Sequence, residues 1–600
     1  MNNKIPKRSE VPAQDKWDLS SIYESNGQWE EELKKNPSLT AKVESYKGKL
    51  AENSATLLCA LKALEAASLQ LETVYHYASL QHEADEDDTE ATDRDGRAMM
   101  AYTEFQSKIA FFDPELLAIP EETLRAWICA PEFADYKIYV EKLLHYNKYT
   151  LSEKEERLLS LQMQPAQTPY NAFSVMENVD LNKQFGTISV NGEEKPLTQT
   201  TFSTLLKNQD RSVREKTYKQ YYGKFEDFQN VIAALYAGSI NQDVFSMRAR
   251  GYDSSLHQAL YGNKVPLSVY HNLIDCVHKN LGTLHDYYSL RKKILGLDEL
   301  RHWDVYVPLV KSVEMRHTYD ESVEICRNAL APLGKEYTDR LCGGLKNGWV
   351  DRYENVGKRS GAFSSGSYIG DPYILLNYDE NDIRDVFTMA HEGGHSMHSW
   401  YSVHNNPFMS YDYTIFEAEV ASTFNEELVF EYLLKNARTE DEKKYLLAMR
   451  ADDILATLHR QTMFAEFELK AHEAVEGGTP LTAELLRKMY RELLELYFGP
   501  EMHFEPNSDM EGLRIPHFYS AFYVYKYATG ISAALALAKR VTTGGEKERE
   551  DYFKFLKSGG SRYPIESLRV AGVDMESTEP VQAACDTFRD IVEQLKKLFA

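Results

Sequence analysis

Asp385-Val-Phe-Thr-Met-Ala-His391-Glu392-Gly393-Gly394-His395-Ser-Met-His398 is the stretch on which the rest of the chain depends. It contains H-E-x-x-H. On a helix, positions i and i+4 lie on one face, one turn apart. Two imidazoles at that spacing can grip one zinc ion at about 2.1 Å each. Glu392, next to the first of them, is placed to act as general base on the water that such an ion activates. With 17 His and at most 92 Glu in 600 positions, chance supplies about 0.07 such matches.

The flanks predict a helix. Asn381 or Asp382 offers an N-cap, and Asp385 puts negative charge in the first turn. Ile383, Val386, Phe387 and Ala390 form an apolar face at helical spacing. Asn405-Asn406-Pro407 ends the segment. Gly393 and Gly394 each cost roughly 1 kcal/mol against Ala inside a helix. Their place between the two His predicts a close approach by another backbone or by substrate. The competing reading is a helix with two satisfied core histidines.

A catalytic zinc site takes a third protein ligand and leaves one position open. His398 lies about 10.5 Å further along the axis than His391, too far to share the ion, so it is expected either to support the ligands from behind or to pack. H-E-x-x-H-x-x-G-x-x-H fails, because 398 is His and 401 is Tyr. The third ligand is therefore sought on the next strongly helical run, Tyr413 to Leu428. Phe416, Val420, Phe424 and Leu428 form its apolar stripe. Glu419 borders that stripe among small residues that let two helices approach, with Glu417 and Glu426 as competitors. Upstream, Gly361-Ala-Phe-Ser-Ser-Gly-Ser-Tyr368 and Pro372-Tyr-Ile-Leu-Leu-Asn-Tyr378 read as a strand pair. It is either an edge that takes an extended peptide or a structural hairpin.

Downstream, Arg514-Ile-Pro-His517-Phe-Tyr519-Ser-Ala-Phe-Tyr523-Val-Tyr-Lys-Tyr527 is dense in Tyr and His. As a helix it puts Tyr519, Tyr523 and Tyr527 on one face. Their hydroxyls, or a protonated His517, suit donation to the oxyanion of a tetrahedral intermediate. The alternative is an aromatic core stripe.

Composition narrows the class. Six hundred residues exceed one compact unit. The net charge of −24, with no Lys/Arg stripe, disfavours nucleic acid. The six cysteines are scattered without a C-x-x-C pair, which fits a reducing compartment. The start lacks an apolar signal segment, and no run reaches the ~18 apolar residues of a membrane span. A cytoplasmic protein without a membrane partner is expected. The first 20 or so residues read as an extended arm with Trp17 as its anchor. Most of the remainder is helical in pattern, so the fold class is mostly α. The acidic stretch Gln81 to Asp88 reads as a solvated helix end or loop, with a cation-binding patch as the alternative. Asn191-Gly192 is the clearest hairpin turn and suggests a boundary near 200, between an N-terminal helical lobe (1–200) and a catalytic domain (201–600).

The zinc helix, Glu419-Val-Ala-Ser422, the Gly-Ala-Phe-Ser region and Ile515-Pro-His-Phe-Tyr519 together resemble the thimet-oligopeptidase-like zinc metallopeptidases, and among them the oligoendopeptidase F branch. The resemblance spans essentially the whole chain, with its specific motifs between about 357 and 530. It implies a two-lobed helical zincin with a deep substrate channel and a small β-sheet beside the zinc helix. It implies one zinc ion, held by His391, His395 and Glu419, with Glu392 as general base. His517 and a nearby Tyr would stabilise the transition state. Some relatives carry a Gly-rich loop before that Tyr; here no Gly lies between His517 and Gly530, which leaves Tyr523 and Tyr527 as candidates. The implied activity is cleavage of internal bonds in short peptides. The alternatives are a zinc exopeptidase trimming single residues and a non-enzymatic peptide-binding protein with structural zinc.

Overall fold

The Asn53 side chain accepts the Thr56 amide and starts a 31-residue helix, α1, Ser54–Ala84. Its buried positions Leu57, Leu61, Leu64, Leu71 and Val74 recur at helical spacing, and each such side chain contributes about 1.5–3 kcal/mol by leaving water. The same logic builds most of the chain, which is predominantly helical with only short strands. The structure is a computed structural model and describes residues 5–310 and 313–600. The first four residues of the expected arm lie outside the described residues. Beyond them, Trp17 is buried and meets Tyr373 edge to face, with ring centroids 6.1 Å apart, which makes it the expected anchor.

The further elements that matter here follow in chain order. Strands β1, Thr187–Val190, and β2, Glu193–Pro196, form the hairpin predicted from Asn191-Gly192. Both turn residues have positive φ, 53° and 84°, as a type I′ turn requires. Strand β3, Leu300–Arg301, precedes helix α2, Lys335–Lys346, and strand β4, Val350–Asp351. Strands β5, Phe363–Ser365, and β6, Tyr373–Leu375, are the expected strand pair. Helix α3, Arg384–Val403, carries H-E-x-x-H, and helix α4, Ile415–Lys435, carries Glu419. Helix α5, Arg460–Glu476, strand β7, Met502–His503, and helix α6, Tyr525–Thr543, complete the set.

The sheet nearest the sequence motif has the order β4-β6-β5. Strand β4 runs parallel to β6, and β5 runs antiparallel to it. The amides of Ile374 and Leu376 point to β4, donating to Trp349 O and Asp351 O at 2.8 Å each. Backbone groups alternate along a strand. Tyr373 and Leu375 therefore face β5, and their partners Ser365 and Phe363 face back. Ser364, between them, directs its N–H and C=O to the outer edge.

Packing divides the chain into two compact units, each assembled from three stretches. One comprises Met1–Lys148, Glu314–Lys435 and Leu537–Val573; the other comprises Tyr149–Val313, Asn436–Ala536 and Asp574–Ala600. Residue 200, the boundary suggested by the hairpin, falls inside the second unit. A turn signal marks where the chain reverses and carries no information about which distant helices pack together.

Candidate active site

Helix α3 begins slightly later than its flanks suggested. Ile383 occupies the N-cap position and makes no side-chain cap. Asp382 instead accepts the Arg384 amide at 2.9 Å, and Asp385 reaches back to the Asp379 amide at 2.6 Å. Asp382 thus caps a free N–H at the positive end of the helix, and Asp385 places its charge in the first turn while tying down the approaching loop.

The glycines inside the motif explain how the partner helix arrives. A Cβ on Gly394 would sit 2.6 Å from Ala421 O and from the Ser422 Cα. Only a bare Cα lets the α4 backbone come this near. Gly393 faces α2, where a Cβ would lie 3.0 Å from a Leu341 methyl. Asn425 of α4 ties the seam, its Nδ2 donating to Ala390 O at 3.1 Å. The sheet closes the other flank, with the Ser364 and Ser396 hydroxyls 2.8 Å apart.

This approach brings His391, His395 and Glu419 together, with one ligand atom from each within 4.8 Å of the others. His391 Nε2 lies 3.1 Å from His395 Nε2, and Glu419 Oε2 lies 3.4 and 3.8 Å from them. Two ligands bonded at about 2.1 Å in a tetrahedron are about 3.4 Å apart, so the trio fits one zinc-sized cation. The donor set of two imidazoles and one carboxylate also suits a catalytic zinc centre.

The two competing glutamates have other tasks. Glu426 Oε1 binds His391 Nδ1, which turns Nε2 toward the trio. Glu417 is buried and accepts the Thr414 hydroxyl at 3.1 Å. His398 is buried and stacks on Tyr413 at 3.7 Å, the packing role of the two expected for it. Glu426 lies two turns after Glu419 on the same face of α4. That spacing was a usable signal for its role.

Charge at the site follows from burial and these carboxylates. Burial alone would lower His391, but the bond from Glu426 and the charges of Glu392 and Glu419 prevail and raise it to about 9. His395 is pushed down to about 3 by burial and by the neighbouring His391. Burial raises Glu392 to about 7, with His391 opposing and Glu419 adding to the rise. A hydrogen bond from the Ser364 backbone also acts on Glu392, in the lowering direction. The outer edge of β5 therefore meets the side chain expected to serve as base.

His517, Tyr523 and Tyr527 belong to the second unit and form a cluster of their own. The His517 ring lies 6.2 Å from each Tyr ring, and the two Tyr rings are 5.5 Å apart. They do not share one continuous helix. Pro516–Tyr519 is a short 3-10 turn, Phe522 has φ 55°, and α6 starts only at Tyr525. Tyr519 accordingly leaves the group and stacks on Phe173 at 4.7 Å.

Comparison with known proteins agrees with the motif resemblance. The profile described as Peptidase family M3 matches residues 204–587, and that described as Oligopeptidase F matches 115–182. An oligoendopeptidase F homolog of Borreliella burgdorferi is 41% identical over 99% of both chains. Oligopeptidase PepF of Bacillus subtilis is 40% identical over 99% of this chain and 89% of its own. The crystal structure of oligoendopeptidase-F from Enterococcus faecium superposes with a TM-score of 0.71 at 29% identity, covering 96% of this chain and 100% of that one. Likeness of this extent makes the chain a member of peptidase family M3, and therefore a peptidase.

Proposed function

We propose that the chain is a zinc-dependent endopeptidase acting on short oligopeptides. The convergence of His391, His395 and Glu419 on one cation-sized space carries this reading. When bound there, zinc supplies a Lewis acid that polarises the scissile carbonyl and acidifies water. Glu392 takes the proton of the attacking water and returns it to the leaving amine. A carboxylate raised to about 7 is matched to both halves of that task. His517 with Tyr523 or Tyr527 donates to the oxyanion. The outer edge of β5, with Ser364 beside Glu392, receives the peptide as an added strand.

Internal cleavage, rather than stepwise trimming, is supported by the names of the relatives, an oligoendopeptidase F homolog and an oligopeptidase. A cytoplasmic setting belongs to the same proposal. Six free cysteines and the lack of any helix among the described residues long and apolar enough to cross a membrane are consistent with it.

The test is metal analysis of the purified protein alongside digestion of a short peptide, with and without a chelator, read by mass spectrometry. One zinc per chain and internal cuts that stop with the chelator are expected. Removal of single residues from one end would favour the exopeptidase reading. A fully metal-loaded sample inert toward every short peptide would refute the activity.

A further inference from the structure

The turn that leads from His517 to Tyr523 is strained, and one buried carboxyl holds it. Phe522 has φ 55°, in the left-handed region that a bulky side chain seldom adopts. Strain of this kind persists only where the surroundings over-determine it. Here the ring is buried, 4.5 Å from His472 and 5.8 Å from Tyr270. The backbone is held as well, because the Phe522 amide donates to Glu468 Oε1 at 3.0 Å. The reversal sends Phe522 inward and leaves its neighbour Tyr523 half-exposed, facing the His517 ring.

Glu468 sits on α5 and is fully buried. Its Oε2 has no hydrogen-bond partner among the described residues. Burial, reinforced by the charge of Asp243, pushes its carboxyl well above the usual range. His472, one turn further on, donates through Nδ1 to Glu468 O at 2.8 Å and places Nε2 3.3 Å from Asp243. An apolar side chain of similar size would avoid the desolvation of that second oxygen. What Glu468 adds is an acceptor aimed at one amide.

We infer that Glu468 is a positioning residue for peptide hydrolysis, latching the Phe522 amide so that Tyr523 and His517 are held in register as oxyanion donors. The inference rests on the proposed role of His517 and the Tyr pair. It also accounts for the absence of Gly from this turn. A glycine would adopt the conformation without a latch and would leave the donors mobile.

The test compares Glu468→Gln, Glu468→Leu, Tyr523→Phe and Tyr527→Phe on a quenched fluorogenic peptide, with zinc content and thermal midpoint measured for each. Glu468→Gln keeps an acceptor at the same reach and should retain kcat within about twofold. Glu468→Leu should lower kcat roughly tenfold or more while KM stays within about twofold, the signature of a contact felt in the transition state. A shift in midpoint with unchanged kcat in Glu468→Leu would reduce the residue to a structural role and overturn the inference. If neither Tyr variant loses kcat, the oxyanion reading itself fails. If a Tyr variant loses kcat and Glu468→Leu does not, only the latch fails. Amide hydrogen exchange on the unmodified protein covers the case in which Glu468→Leu does not fold. Protection of the Phe522 amide is expected, and exchange as fast as that of an open loop would overturn the latch.

Discussion

Glu426 touches no substrate, yet it determines which face of His391 is available. By holding Nδ1 it fixes the tautomer and presents Nε2, the arrangement that raises the basicity of a ligating imidazole. Replacing Glu426 with Gln should weaken zinc about 10- to 100-fold, read by competition against a chelating fluorophore. Glu392→Gln should behave in the opposite way. Its zinc affinity should stay near that of the unmodified chain, while kcat falls by about 10²- to 10⁴-fold as general-base assistance is lost. Near-normal turnover in that variant would remove Glu392 from the mechanism. The two histidines and Glu392 were legible in the sequence because helical periodicity alone puts i and i+4 on one face. Glu417, Glu419 and Glu426 were harder to separate. All three sit on one helix, and only the approach of α3 distinguishes the one that meets the imidazoles. The aromatic segment was harder still, because nothing local announces a left-handed Phe522.

Two elements set the precision of the site, and each can be perturbed separately. Across the seam of α3 and α4, Gly394→Ala drives a methyl into Ala421 O and Ser422 Cα, both at 2.6 Å. The helices must part, at a cost of about 1–3 kcal/mol for an overpacked contact. Glu419 should then withdraw from the imidazoles, so thermal midpoint and zinc affinity should fall together; an unchanged zinc affinity would contradict the close-packed seam. On the opposite flank, α1 pins the loop after β5. The ring nitrogens of His76 lie 2.9 Å from Ser365 Oγ and 2.6 Å from Ser367 Oγ, and Glu72 accepts the Tyr368 amide at 2.8 Å. Burial pushes His76 down to about 4. Between that value and its ordinary 6.5, the unfolded chain binds a proton that the folded chain refuses. Stability therefore rises with pH across this window and is lost on acidification, by about 2 kcal/mol at pH 5 for His76 alone. His302 and His459, also buried and lowered to about 4, add to the slope. In His76→Gln the fall in urea stability from pH 7.5 to 5 should be smaller by about that amount, and an unaltered slope would show that His76 takes up its proton equally in the folded and unfolded chain.

At the scale of the molecule, the line of the sequence and the arrangement of the packing differ. Every candidate metal ligand lies after residue 384, and the hairpin near 200 invites division into an N-terminal helical lobe and a catalytic domain. The unit that holds His391, His395 and Glu419 nevertheless includes Met1–Lys148. Strand β6 shows why: Tyr373 and Leu375 share one hydrophobic cluster with Trp17, Trp29, Val74 and Tyr77. The Tyr373 hydroxyl donates to Asp18 O at 2.7 Å. Arg8 reaches the fully buried Asp351 on β4 at 2.8 Å, and Lys358 reaches the same oxygen at the same distance. Such contacts, hundreds of residues apart, leave no periodicity for a sequence reading to detect. They yield a sharp expectation for a fragment spanning 201–600. It contains all three ligands and Glu392, yet it lacks α1, the Trp17 anchor and one of the two cations that neutralise Asp351. Losing Arg8 takes one of two charge-assisted partners from a buried carboxylate, at about 1.5–3 kcal/mol. The exposed faces of β5 and β6 add the loss of about 25 cal/mol for each Å² returned to water, against a net stability of only about 5–15 kcal/mol. The fragment should therefore be aggregated or partly unfolded by size-exclusion chromatography and circular dichroism, hold substoichiometric zinc and hydrolyse no peptide. Co-expression with residues 1–200 should restore metal and turnover together, because the missing stretch contributes packing rather than chemistry. A monomeric 201–600 fragment with one zinc and normal kcat would show that the N-terminal stretches are dispensable to the fold of the site.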